Sequence, residues 1–333
     1  MINNVQMVSE KIFARADMPV LAIIVPCYNE EDALLETAKQ LLDKMQYLIF
    51  NNVISKESRI VFVDDGSDDT TWIMIEKYCS DNPNNYAGIK LSRNMGHQNA
   101  LFCGLVSVKD IADAAISIDA DLQDDIEVID EMIKKYHAGC EIVYGVRSDR
   151  KKDSFFKKTT AQGFYRLMRF LGADTIYNHA DFRLIGKNAL WALSDYNEVN
   201  LFLRGIVPLL GYKTDVVYYS RKERLAGISK YPLRKMFVFA LDGITSFSIK
   251  PMRLITIMGI LLFIASISMI VYFFVRRFMG HTIIGWASIV CSLWGIGGLI
   301  LFSIGIVGEY IGKIYLETKH RPKFHIEKFL YTS

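Results

Sequence analysis

Between residues 20 and 146, short runs rich in β-branched residues alternate with longer stretches whose apolar positions recur every three or four residues. The runs at 21–25, 59–63, 86–91, 115–118 and 141–145 predict strands, and the stretches at 31–45, 70–79, 97–108 and 126–138 predict amphipathic helices. This alternation predicts an α/β fold with a mainly parallel sheet covered by helices on both faces. Ligands of such sheets gather at the carboxyl ends of the strands.

The pattern changes toward the C-terminus. Residues 254–275 and 283–307 are almost wholly apolar, and the first would make roughly 33 Å of helix at about 1.5 Å per residue, enough to cross a bilayer. Two transmembrane helices are therefore predicted. Before them lie two basic and aromatic stretches. Residues 151–170 carry Lys151, Lys152, Lys157, Lys158, Arg166 and Arg169 among phenylalanines, and residues 232–248 are similar. Each reads as a juxtamembrane amphipathic helix on an anionic surface, or alternatively as an ordinary helix packed on the sheet. The expected organisation is a cytosolic α/β domain at 1–231, a juxtamembrane segment at 232–253, a transmembrane hairpin at 254–312 and a cytosolic tail at 313–333. Lys250 and Arg253 before the hairpin, with Lys313, Lys319, Arg321 and Lys323 after it, favour cytosolic termini against Arg276 and Arg277 in the connection. Gly308 and Gly312 have the spacing that lets membrane helices approach closely, although glycine is also simply tolerated there. Glu309 reads as the partner of a nearby cation.

Composition narrows the picture. A net charge of +3 over 333 residues does not point to nucleic acid. Cys27, Cys79, Cys103, Cys140 and Cys291 are scattered without a CxxC pair, which argues against a disulfide framework or a zinc site and favours a reduced compartment. The first twenty residues lack the continuous apolar core of a secretory signal.

The polar motifs fall where the predicted strands end. Pro26-Cys27-Tyr28-Asn29-Glu30 follows the first strand, Asp64-Asp65-Gly66-Ser67-Asp68 the second and Asp119-Ala120-Asp121-Leu122-Gln123 the fourth. Two carboxylates one residue apart and an amide oxygen supply hard ligands suited to Mg²⁺ or Mn²⁺ holding a diphosphate. Tyr28 can stack on a nucleobase, Asp64 can accept from its N–H groups, and Gly66 permits a tight turn. Taken singly, each motif also fits an ordinary turn, an N-cap or a solvated acidic loop. No GxGxxG follows the first strand, so a dinucleotide site is not expected.

As an ordered set, residues 24–30, 63–67, 94–100 and 119–124 resemble glycosyltransferase family 2, and more narrowly its polyprenyl-phosphate sugar transferases. The likeness runs from about residue 20 to residue 322. It implies a GT-A fold and inverting transfer from a nucleotide-sugar to a lipid phosphate. By motif match, Pro26, Tyr28, Glu30, Phe62 and Asp64 would surround the nucleoside, Asp119, Ala120 and Asp121 would join them at the donor, and Asp119, Asp121 and Gln123 would hold the metal. Where the family often has proline after Leu-Gln-Asp, this chain has Asp125.

The resemblance also assigns cations to two anionic partners. Arg224 and Lys230 would touch the donor diphosphate, Arg147 would lie in the active site, and Arg183, Arg204 and Arg221 would hold the acceptor phosphate. Asp181 would either orient or deprotonate the acceptor, or form a salt bridge that positions Arg183. His97 and His179 read as loop or capping residues. The expectation is an integral protein of the bacterial cytoplasmic membrane, homo-oligomeric and tetrameric, that moves glucose from UDP-glucose to undecaprenyl phosphate. UDP-N-acetylglucosamine, UDP-galactose and GDP-mannose are alternative donors, and a non-catalytic scaffold or lipid-translocation helper is the reading from another class.

Overall fold

The strand LAIIVPC, β1 (Leu21–Cys27), is buried along its whole length, as a run apolar on both faces must be. In the computed structural model, which describes residues 15–148, 179–196, 198, 202–220, 250–279 and 285–332, β1 lies between β2 (Arg59–Asp64) and β4 (Ala114–Ser117). Both pairings are parallel, and the register sets Cys27 opposite Asp64. The motif-bearing ends of β1 and β2 are therefore level. β3 (Tyr86–Leu91) continues the parallel set on the far side of β2.

The rest of the sheet is not parallel throughout. β6 (His179–Gly186) inserts antiparallel between β4 and β5 (Ile142–Arg147), β7 (Thr214–Tyr219) lies parallel on β5, and β8 (Ile326–Leu330) lies antiparallel on β3. The order is β7-β5-β6-β4-β1-β2-β3-β8, a mixed sheet where a mainly parallel one was expected. The difference has a physical cause. β6 carries Asp181 and Arg183, charges that read as a polar motif, yet they neutralise each other inside the sheet. β8 comes from the tail at 313–333. It is fastened by the Ser92 N–H to the His325 carbonyl, by Lys328 to Glu76, and by the Arg59 guanidinium against the Tyr331 ring.

Helices α1 (Glu31–Phe50), α2 (Thr71–Asp81) and α3 (His97–Ser107) form where periodicity predicts them, with α1 running five residues further. The stretch predicted as one helix at 126–138 divides into a 3₁₀ turn, Ile126–Val128, and α4 (Ile129–His137). Asp125 causes the division: its extended backbone and a carboxylate accepting the Glu127 N–H start the chain as a tight turn. Lys44 lies on the buried stripe of α1, where Glu127 and Asp130 receive its ammonium at 2.7 and 3.0 Å. Two shorter helices, α5 (Lys187–Ser194) and α6 (Leu203–Leu209), follow β6.

A second compact unit contains α7 (Lys250–Phe278) and α8 (Trp286–Thr318). Within it, Gly295–Thr318 is long and apolar enough to cross a membrane, with mean hydropathy 1.6 and none of that stretch buried. Among the described residues it alone meets that test, whereas two spans were expected. Both helices nonetheless expose large apolar side chains, including Ile257, Leu261, Leu293, Leu301 and Phe302. The basic stretches at 151–170 and 232–248 lie outside the described residues.

Helix α3 is seated by a missing side chain. A Cβ on Gly104 would stand 2.4 Å from Ile24 Cγ2 and 2.8 Å from Val63 Cγ2, so the helix backbone rests directly on β1 and β2. Gly104→Leu is expected to lift α3 and destabilise the domain by about 1–3 kcal/mol through overpacking. Denaturant unfolding followed by tryptophan fluorescence checks this; an unchanged midpoint would contradict the close seating.

Candidate active site

Two loops at the level ends of β1 and β2 are laced together by their own polar groups. Asn29 adopts left-handed backbone at φ 54°, which lets its N–H donate to Ser67 Oγ at 3.0 Å while its Oδ1 accepts the Asp68 N–H at 2.9 Å. The Glu30 N–H donates to Thr71 Oγ1, and the Glu31 carboxylate accepts from Thr70. The lacing leaves Tyr28 42% exposed. Phe62 and Pro26 are different. Both are buried in the sheet, with Phe62 packed on Tyr78 and Tyr86.

Asp64 is buried, accepts the Ser67 N–H, and has its pKa raised by that burial. Its neighbour Asp65 was overlooked in the sequence. Asp65 is also buried and accepts the N–H groups of Met95 at 2.7 Å and Gly96 at 2.9 Å, fastening the loop that leads into α3. Burial raises its pKa too, with these two amides opposing the shift. Gly66, at φ 69°, makes the close approach possible, because a Cβ there would lie 2.6 Å from the backbone of Arg93 and Asn94. A doubled aspartate before glycine was the available signal.

The result is to aim His97, the first residue of α3, into a group of carboxylates. Its Nε2 lies 3.6 Å from Asp119 Oδ1 and 3.7 Å from Asp181 Oδ2, so it is no bland capping residue. Burial pulls the imidazole pKa down, yet Asp181 and Asp119 outweigh it and the net shift is upward. The Asp119 carboxyl is pushed up to about 6, first by burial and then by Asp181, Asp124 and Asp121, against the pull of His97. Thr37 of α1 donates to the Ala120 carbonyl at 2.7 Å, and Leu122, left-handed at φ 50°, turns the chain so that the Gln123 N–H donates to Asp121. Asp119 and Asp121 crowd negative charge at one spot and Gln123 follows on the same turn, a donor chemistry compatible with a divalent cation. Among the described residues no three His, Cys, Asp or Glu side chains gather as a cage, so the amide and substrate oxygens would complete the shell.

Asp181 is the most heavily paired group. It accepts Arg183 Nη2 at 2.6 Å and Arg204 Nε and Nη2 at 3.2 and 2.9 Å. Burial alone would raise its pKa, but His97, Arg204 and Arg183 hold the carboxyl well below its usual range. Arg183 is fully buried and also donates to the Leu203 carbonyl. Arg204 retains 35% side-chain exposure. Arg147, 28% exposed, stands at the end of β5 against Asp124 and Tyr219, and β-strand alternation gave no reason to single out Tyr219 as its partner. Glu30 lies in the loop between β1 and α1, whereas Arg221, Arg224 and Lys230 fall outside the described residues.

A depressed folded-state pKa adds stability that is present above the usual carboxylate range and is lost as pH falls through the folded value. Asp181→Asn is therefore expected to cost about 3–5 kcal/mol by leaving buried Arg183 uncompensated. The part of the penalty owed to Arg183 and Arg204 should persist to pH 8 and shrink only below the ordinary aspartate value of about 3.9, whereas the part owed to His97 should fade as pH rises above the usual histidine value of about 6.5. Unfolding midpoints of both proteins across that range measure it; a penalty already gone as pH falls to about 6 would contradict the pairing.

A family model described as Glycosyl transferase family 2 matches residues 22–194, and one described as GtrB C-terminal hairpin matches residues 250–314. The uncharacterized glycosyltransferase YkoT of Bacillus subtilis (strain 168) is 54% identical over 317 residues, which are 95% of this chain and 94% of that protein. Bactoprenol glucosyl transferase of Shigella phage SfV is 40% identical over 311 residues, 92% of this chain and 98% of that one. Among solved structures, mannosyltransferase PcManGT from Pyrobaculum calidifontis, in complex with GDP-Man and Mn²⁺, aligns over 90% of this chain and 85% of that chain at 16% identity and a TM-score of 0.42. On the family match and the relatives that share nearly its whole length, the chain belongs to glycosyl transferase family 2 and is a glycosyltransferase of the GT-A type.

Proposed function

We propose that this glycosyltransferase moves a single glucosyl group from UDP-glucose to undecaprenyl phosphate, with inversion, at the cytosolic face of a bacterial membrane. The observation that carries this reading is the 40% identity with the phage bactoprenol glucosyl transferase, which extends through catalytic domain and hairpin alike. The lipid-linked glucose would then serve modification of a cell-wall or surface polysaccharide.

The chemistry of the site supports the same reaction. The acceptor is a phosphate monoester whose oxygen is already anionic, so a strong general base is unnecessary. Asp181, held at low basicity by two arginines, suits an orienting role better than proton removal. What the reaction needs is positive charge that lets two anionic substrates share one crevice. Arg147 and Arg204 are partly exposed and meet that need, and Arg221, Arg224 and Lys230 are proposed to add to it. Asp119, Asp121 and Gln123 would hold Mg²⁺ or Mn²⁺, which when bound offsets charge building on the diphosphate as the sugar leaves. Tyr28 would stack on the uracil ring, with Glu30 and Asp64 beside the nucleoside. In this reading α7 and α8 both span the membrane, with catalytic domain and termini cytosolic, and the chain assembles as a tetramer through its helices.

Other donors are the competing reading, and UDP-N-acetylglucosamine, UDP-galactose and GDP-mannose belong in one assay. Purified protein with a panel of radiolabelled nucleotide-sugars and undecaprenyl phosphate should label the lipid from UDP-glucose alone, and chelator should abolish it. Labelling from another donor would reassign the sugar, and labelling undiminished by chelator would remove the metal. Asp121→Ala is expected to lower transfer at least about a hundredfold with folding retained. Unchanged transfer by that variant would sink the assigned site, and a wild type inert with every donor would favour a scaffold or lipid-translocation role.

A further inference from the structure

Arg147 is gripped along one edge by two residues that the reaction as written above does not use. Its Nε donates to Tyr219 Oη at 3.3 Å and its Nη2 to Asp124 Oδ1 at 3.2 Å, while Tyr219 Oη donates to the same Asp124 oxygen at 2.5 Å. The three groups close a ring of hydrogen bonds. Arg147 and Tyr219 face each other across β5 and β7 in register, and Asp124 comes from the loop that carries Asp119, Asp121 and Gln123. The Asp124 side chain is only 1% exposed, and its Oδ2 is buried with no hydrogen-bond partner. A buried carboxylate with one unsatisfied oxygen is costly, so nothing about stability alone favours an aspartate here.

The arrangement makes sense as an orienting device. Nη1 of Arg147 makes no hydrogen bond to the described residues, and the side chain is 28% exposed, so among those residues the guanidinium is held along one edge only. Asp124 is close enough to act electrostatically on Asp119, so the held guanidinium lies in the neighbourhood of the carboxylate motif. A guanidinium fixed in this manner loses little freedom on meeting a phosphate oxygen, unlike one on a mobile stem. Tyr219 is itself fixed by an edge-on contact with Phe182, the neighbour of Asp181 in β6, at 5.5 Å between centroids.

We propose that Asp124 and Tyr219 are positioning residues for transfer, holding Arg147 so that its outer edge binds a phosphate oxygen of one of the two substrates. This rests on the functional reading above and deepens it. The phosphate belongs either to the donor diphosphate or to the lipid acceptor, which share the same chemistry.

The test is a double-mutant cycle in the full-length protein, read as kcat/KM with each substrate varied in turn. Tyr219→Phe keeps the ring against Phe182 and removes only the hydroxyl; it should lower kcat/KM about tenfold in the wild-type background but less than about twofold when Arg147 is already methionine. Asp124→Asn should show the same loss of effect. A raised KM for nucleotide-sugar assigns the phosphate to the donor, and a raised KM for undecaprenyl phosphate assigns it to the acceptor. Full penalties persisting in the Arg147→Met background, a Tyr219→Phe variant as active as wild type, or both KM values unmoved would each overturn the proposal. A wild type that transfers no sugar would instead overturn the functional reading itself.

Discussion

A buried charge must be matched by charges placed around it, and in this protein that requirement centres on Asp181. Its carboxylate lies in the interior of the sheet, where an unpaired charge would cost several kcal/mol after relaxation. Arg183 two residues along β6 and Arg204 at the start of α6 supply the match, and their geometry fixes where α6 can lie. Ser117 at the end of β4 donates to the Asp181 carbonyl, which binds β6 to the strand leading into the carboxylate motif. Gln98 ties the first turn of α3 to the same group through the Asp181 carboxylate and the Leu203 N–H. Four elements, β4, β6, α3 and α6, thus meet at one residue, three of them through its carboxylate and β4 through its backbone carbonyl.

The same interaction decides chemistry. Two arginines and a histidine that hold Asp181 ionised also make it a weak base. That suits an acceptor whose nucleophilic oxygen is already charged, and would suit an alcohol acceptor poorly. Asp119 is the opposite case. Burial, and after it the neighbouring carboxylates, disfavour its ionised form, so positive charge arriving in the crevice is stabilised there. One carboxylate is satisfied by the fold and the other is left for what binds, which is how a single cluster can be both rigid and receptive.

A second constraint is backbone access. Gly66 and Asp65 act together: the absent Cβ lets the loop at 93–96 approach, and the buried carboxylate fastens it by two amides. Gly104 does the same for the helix that follows, seating it on β1 and β2. Between them they set the position of His97 at 3.6 and 3.7 Å from two carboxylates, within ion-pair distance. The C-terminal strand contributes from outside, since the His325 carbonyl receives the Ser92 N–H immediately before this loop.

The first four strands, the helices between them and the motifs at the strand ends were readable from the chain because periodicity and turn chemistry are local properties. β1 and β2 declare themselves by apolar runs, and Asp64-Asp65-Gly66 by residues that favour a turn. Mixed strand order was not readable, because pairing partners such as β4 with β6 and β3 with β8 are distant in the chain and no local signal encodes register. Nor was the sorting of charged and aromatic residues into buried and presented ones. Arg183 and Arg204 look alike in sequence, as do Phe62 and Tyr28. Only packing sends the first of each pair inward and leaves the second at the crevice, because burial depends on what the rest of the chain places around a side chain.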